Sequence, residues 1–250
     1  MSNFDLIIGL HSICAALKNP SRQVIRLLLT EDGKEELRKR FDLRKVDFEL
    51  VSTHKLQEEA KKLFQNKGLE YQRVPSGALL CAESLPEYEV RELYDLAKKG
   101  NLKILCLDQI TDVHNGAAIL RTASFYGIDV VILPGKKSFG TTPTYFRIAS
   151  GAHEYLKLVM VGNLSKTLTK LKELNTHVIG LSEHAEESLD LGAIPSNKNL
   201  ALVLGKEETG ISNAVMRVLD EKLSIQSQGS IKSLNVSVAA AISMEKCFGI

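Results

Sequence analysis

Apolar residues along this chain follow two periods, and stretches of each period take turns. VIRLLL (24–29), KILCLD (103–108), LKLVMV (156–161), HVIGLS (177–182) and LALVL (200–204) are short, nearly continuous apolar runs. Such runs mark strands covered on both faces. The stretches between them carry apolar residues three and four apart, the spacing of amphipathic helices. This predicts helices over 11–18, 33–41, 54–65, 115–126, 164–174 and 233–247, and short ones near 143–150 and 212–219. Further strands are expected at FELV (48–51), at 129–133 and around LSI (223–225). Two more are expected within 69–82, on either side of the turn signal Pro75-Ser76-Gly77. Repeated β-α-β units imply a mostly parallel sheet with helices on both faces.

A polar link carrying Pro86 leads into the helical stretch YEVRELYDLAKK, which Gly100 closes at its C′ position. This is the best place for a boundary. The expected organisation is a first domain over 1–82, a linker and helix over 83–100, and a second domain over 101–250. The length of 250 residues agrees with one large domain or two small ones. With 44% hydrophobic and 25% charged residues, the chain is neither disordered nor low in complexity.

Charge adds a local feature. The net charge is only +2, which gives no bulk attraction to nucleic acid but leaves room for a basic patch. Residues 18–45 hold nine Lys or Arg against five acidic residues. Within that stretch Arg22, Arg26, Arg38, Arg40 and Arg44 are candidate RNA-phosphate contacts. A solvated charged face fits the same pattern. Cys14, Cys81, Cys106 and Cys247 lie far apart without zinc spacing, so no metal is expected. Apolar runs such as VVIL (130–133) are far below the roughly 18 residues of a membrane span. The N-terminal MSNFDLIIGLHS lacks the basic start of a signal peptide. A cytoplasmic protein with no membrane partner is expected.

Three segments carry candidate chemistry. DQITDVHNGAAILRTASFYG (108–127) follows a buried strand, where ligands of open α/β sheets gather. In it Asn115 is read as the helix N-cap, with Arg121 about one and a half turns further on. ALVLGKEETGIS (201–212) sets Gly205 directly after a strand, where a ligand can approach the backbone closely. It is neither a Walker loop nor GxGxxG. In LSIQSQGSIKSLNVSVAAAISMEKC (223–247) a polar loop feeds a helix rich in Ala, Ser and Val, with Ser233 read as its cap.

Together, NGAAILR (115–121), LVLGKEETG (202–210) and IQSQGSIKSLNVSVA (225–239) resemble the three motifs of the SpoU (TrmH-like) RNA ribose 2′-O-methyltransferases of the SPOUT class. Residues 1–82 look like the small substrate-binding domain of one branch, which includes enzymes that methylate a guanosine of 23S rRNA. The resemblance implies an α/β fold, with a C-terminal parallel-sheet SPOUT domain containing a deep trefoil knot after a small α/β domain. It implies S-adenosylmethionine held by backbone groups at Gly205, Ile225 and Leu234, and a homodimer. It places Asn115, Arg121, Glu207, Ser233 and Asn235 at the reaction site, with Glu207 orienting Arg121. Two positions depart from the family pattern. Ala117 stands where a glycine is usual and is expected to crowd the substrate or shift the helix start. Gln226 replaces a proline and is expected to loosen its loop. Transfer-RNA or other ribosomal-RNA methylation, and a non-catalytic RNA-binding or ribosome-assembly role, remain open on sequence.

Overall fold

A computed structural model describes residues 4–136, 138–183, 185, 188 and 198–249. In chain order the elements are β1 (Phe4–Ile8), α1 (Leu10–Lys18), β2 (Val24–Leu29), α2 (Glu31–Arg38), β3 (Glu49–Leu50), α3 (Thr53–Asn66), β4 (Ala78–Glu83) and α4 (Val90–Ala97). Then follow β5 (Lys103–Asp108), α5 (Val113–Phe125), β6 (Val130–Pro134), α6 (Pro143–Ala149), β7 (Lys157–Val161), α7 (Leu164–Lys172) and β8 (Thr176–Leu181). The chain closes with β9 (Asn199–Gly205), α8 (Asn213–Met216), β10 (Glu221–Leu223) and α9 (Val236–Phe248).

Two compact units emerge. The first is Met1–Pro86 with Gly140–Tyr155, and the second is Glu87–Phe139 with Leu156–Ile250. The structure departs from the linear expectation in two places. Residues 140–155 leave the second half of the chain and complete the first unit. Helix α4 is no linker: its Leu93 and Ala97 are buried in the core of the second unit.

The first unit is built on a four-stranded sheet in the order β1-β4-β2-β3. β4 runs antiparallel to both β1 and β2, and only the short β3 is parallel to β2. This sheet is therefore mixed, not mostly parallel. β1 is a strand absent from the expected set, although FDLII is a five-residue apolar-rich run ended by Gly9 at φ 95°. Only the second half of 69–82 is a strand. Residues before it form an extended segment held by side chains: Gln57 bonds both the N–H and the C=O of Val74 at 3.0 Å.

The added segment 140–155 is bound to this unit by buried charge. Arg22 forms ion pairs with Asp5 (2.7 Å) and Glu154 (2.9 Å), and its side chain is completely buried. Burial disfavours its charge, but the hydrogen bonds and charges of Glu154 and Asp5 outweigh that and raise its pKa above the ordinary value. Asn19 also donates to Glu154, and Ser12 to the carbonyl of Phe146. Arg22 is thus enclosed and neutralised, and it is withdrawn from the set of RNA-contact candidates.

The second unit carries a six-stranded sheet in the order β10-β8-β9-β5-β6-β7. Every neighbouring pair in it is parallel, as the continuous apolar runs require. β5 is central and almost wholly buried. The chain first builds to one side of β5, through β6 and β7, and later to the other, through β9, β8 and β10. The carboxyl ends of β5 and β9 therefore meet at a switch point, where Asp108 stands in register with Gly205. No described helix is long and apolar enough to cross a membrane.

Removing one partner of a buried ion pair leaves an uncompensated charge, at a cost of about 3–5 kcal/mol. Arg22→Ala is expected to lower the unfolding free energy by about that amount, read from the denaturant midpoint.

Candidate active site

The segments singled out in the sequence converge beyond the carboxyl ends of β9 and β10. Loops after β8 (181–183), β9 (205–211) and β10 (225–234) line a cavity of about 370 Å³. Its walls include the apolar Leu204, Ile211, Ile225 and Leu234, and the carboxylates Glu207 and Glu208. That volume lies in the range of small-molecule sites. The apolar lining suits the adenine ring and the aliphatic part of the methionine moiety, and the polar loop residues beside it, both acidic and basic, suit its charged groups, so the residues present fit S-adenosylmethionine.

Gly205 lies at this cavity, for a different reason from the expected one. A Cβ there would stand 2.2 Å from the carbonyl carbon of Gly210 and 2.3 Å from the Ile211 nitrogen. The close approach is made by the protein's own backbone. The loop closes through reciprocal bonds between Lys206 and Gly210 of 3.2 and 2.7 Å. The buried Asp108 carboxylate accepts from Ser212 N at 2.8 Å and ties the end of β5 to the exit of that loop. No motif in the sequence around Asp108 signals this role.

The amino end of α9 is the junction of the three motifs. Asn235, not Ser233, is its N-cap: its Oδ1 accepts from Ser237 N at 2.9 Å. Glu207 Oε1 accepts from Val236 N at 2.8 Å. Two of the N–H groups that a helix start leaves unpaired are thereby satisfied. The negative carboxylate also faces the positive end of the helix dipole. Asn235 Nδ2 donates to Asn115 Oδ1 at 3.0 Å, which joins α9 to the first turn of α5.

Asn115 is free for that bond because it is not the cap of its own helix. Asp112 caps α5, accepting from Asn115 N at 2.7 Å. The helix therefore starts two residues before Asn115, at Val113. Ala117 is fully buried within α5 and does not crowd an approaching substrate. The glycine one position earlier has its own cause. A Cβ on Gly116 would stand 2.2–2.6 Å from the Phe139 ring, which fills that space. Gln226 does not leave its loop untied: its amide donates to Ser224 Oγ at 2.7 Å.

Asn115, Glu207 and Asn235 are thus linked through α9, while Ser233, Ile225 and Leu234 line the cavity beside them. Arg121 stands apart. It is exposed on α5 and has no hydrogen bond or ion pair among the described residues. The expected pairing with Glu207 is absent; Glu207 Oε1 accepts from Val236 N at the start of α9. The cysteines form no reactive set. Cys81 and Cys106 are buried and Cys247 partly so, and burial raises each thiol above its ordinary pKa. Among the described residues no group of His, Cys, Asp and Glu is placed to hold a metal.

Comparison with known proteins decides the family. Residues 103–245, more than half of the chain, match the SpoU rRNA Methylase family. The chain belongs to that family. Residues 6–66 match the family described as RNA 2′-O ribose methyltransferase substrate binding. A 23S rRNA (guanosine-2′-O-)-methyltransferase RlmB of Shewanella oneidensis is 32% identical over 247 residues, 97% of this chain and 96% of that protein. The protein of the same name from Vibrio vulnificus is 33% identical over 245 residues, 97% of this chain and 95% of that protein. The SpoU methyltransferase AviRb of Streptomyces viridochromogenes, solved in complex with AdoMet, shares the fold at a TM-score of 0.73 and 21% identity, covering 98% of this chain and 89% of that one.

The assignment of the α9 cap separates two neighbouring residues. Asn235→Ala is expected to cost roughly 1–2 kcal/mol, as for a lost N-cap, while Ser233→Ala leaves stability unchanged. Denaturant unfolding of both variants checks this.

Proposed function

We propose that the protein transfers a methyl group from S-adenosylmethionine to a ribose 2′-hydroxyl of RNA, a guanosine of 23S rRNA. The observation that carries this reading is the junction at α9. The three family motifs supply Asn115, Glu207 and Asn235 to one hydrogen-bonded cluster beside a cavity that fits the methyl donor. The guanosine of 23S rRNA follows from the near-full-length relatives named for that activity. We also infer the finer fold, a trefoil knot in the second unit, from family membership.

When bound, S-adenosylmethionine supplies an electrophilic methyl carbon on a positively charged sulfur. The chain contributes chiefly position and electrostatics. Backbone groups at Gly205, Ile225 and Leu234, which line the cavity, would hold the donor there, and Ser233 lines the same space. Asn115 and Asn235 fix the amino end of α9 at its edge. Arg121 cannot act as a base, because guanidinium stays protonated. Its exposed fork, without a partner among the described residues, binds an RNA phosphate and stabilises the oxyanion that develops at the 2′-oxygen.

The working unit is a homodimer. Phe125 at the end of α5, 83% exposed, and Val238 on α9, 47% exposed, are large apolar residues on two helices that pack together. An isologous contact along these helices would cover both residues with the same surface of a second copy. The protein is read as cytoplasmic, where its RNA substrate is found.

Calorimetry with S-adenosylmethionine is expected to show binding to the wild-type protein and to Arg121→Lys alike. Methyl transfer by Arg121→Lys is expected to fall by about 100-fold or more, because the charge is kept but the fork is lost. Near-native turnover of this variant would sink the role given to Arg121, and absence of donor binding would sink the enzyme reading.

A further inference from the structure

The arginines of the first unit divide into two sets. Arg22 is buried against Asp5 and Glu154. Arg26 bridges Glu49 (2.6 Å) and Glu59 (2.8 Å), and its hydrogen bond holds the Glu59 carboxyl down at about 2. Arg40 is held by the side chain and backbone of Glu36, Arg44 by Asp42 at 2.9 Å, and Arg38 lies 3.7 Å from Glu35. The two remaining arginines, Arg73 and Arg147, are exposed and have no acidic partner among the described residues.

These two come from distant parts of the sequence, and residues next to each of them meet. Thr144 Oγ1 donates to Gln72 Oε1 at 2.5 Å, joining the segment before β4 to the first turn of α6. Arg73 follows Gln72 directly. Arg147 lies three residues beyond Thr144, on the same side of α6. The segment is fixed, not free: Gln57 bonds Val74 on both backbone groups and accepts from the Tyr71 hydroxyl at 2.8 Å. Tyr71 keeps 37% of its surface exposed beside Arg73.

We propose that Arg73 and Arg147, with Tyr71 beside Arg73, form the RNA-contact face of the first unit, in place of the five arginines of 18–45. The inference rests on the reading of the substrate as RNA. A guanidinium paired with a carboxylate must give up that pair before it neutralises a phosphate, whereas an unpaired one displaces counterions at no such cost. A rigid segment loses little entropy on binding. An exposed aromatic ring next to an arginine matches the stacking and phosphate contacts of unpaired RNA strands. The placement also explains why the first unit incorporates residues 140–155: they carry Arg147, and the Arg22–Glu154 pair anchors them.

The test measures binding of the full-length protein to a protein-free 23S rRNA transcript across a salt series. Three variants are compared with wild type: Arg73→Gln with Arg147→Gln, Arg73→Lys with Arg147→Lys, and Arg38→Gln with Arg44→Gln. The first is expected to lose about tenfold in affinity, and its log–log salt slope to shrink by about 0.7–0.9 for each phosphate no longer neutralised. The lysine pair is expected to keep most of both, and the Arg38/Arg44 pair to match wild type. Unchanged affinity in the first variant, or a weakening without a change in slope, overturns the proposal. Wild-type protein that binds S-adenosylmethionine but not the transcript overturns the RNA reading itself, and this face with it.

Discussion

The amino end of α9 is the point on which the arrangement of the second unit's loops depends. A helix start carries unpaired N–H groups that something must satisfy. Here the partners come from different loops: Glu207 from the end of β9 and Asn235 from the residue before the helix. Asn235 then reaches Asn115 on α5. The need of one helix for a cap thereby fixes the relative positions of three loops that are far apart in sequence. Asp108 adds a fourth tie, from β5 to Ser212. All of this lies at the sheet's switch point, where neighbouring strands lead away in opposite directions and leave a crevice.

In the first unit buried charge does comparable work. An arginine with no exposed side-chain surface is tolerable only if its partners are themselves held in place. Asp5 on β1 and Glu154 beyond α6 are those partners. The unit is therefore incomplete as residues 1–86 alone, because Glu154, Tyr145 and Phe146 all belong to the later segment. A family match over residues 6–66 covers only part of what the structure packs together.

Much of the second unit is legible in the sequence, because its strands are continuous apolar runs and its motifs follow them directly. β5 and β9 lie within a residue of their expected bounds. The site is legible as membership but not as wiring. Asn115 and Ser233 read as caps because Asn and Ser are good cap residues at plausible places. Asp112 and Asn235, equally good caps nearby, hold those positions. Spacing does not choose between competing caps; backbone geometry does. At Gly205 the close approach is made by the carbonyl of Gly210 in the same loop, which periodicity does not reveal. The five arginines of 18–45 stand out by density of positive charge. Their acidic partners lie one helical turn away for Arg38 and Arg40 and in distant segments for Arg22 and Arg26, and a net count over the stretch does not register that pairing. Arg73 and Arg147 do not stand out, because each is alone in its own stretch of sequence.

If the cavity and the α9 junction serve methyl transfer to a ribose oxygen, the most direct measurement is nucleoside mass spectrometry. An unmodified 23S rRNA transcript is incubated with the protein and S-adenosylmethionine bearing a deuterated methyl group. The predicted result is label on the ribose of guanosine, as 2′-O-methylguanosine. Label on a base, or a transcript left without label by protein that binds the donor, would contradict that role.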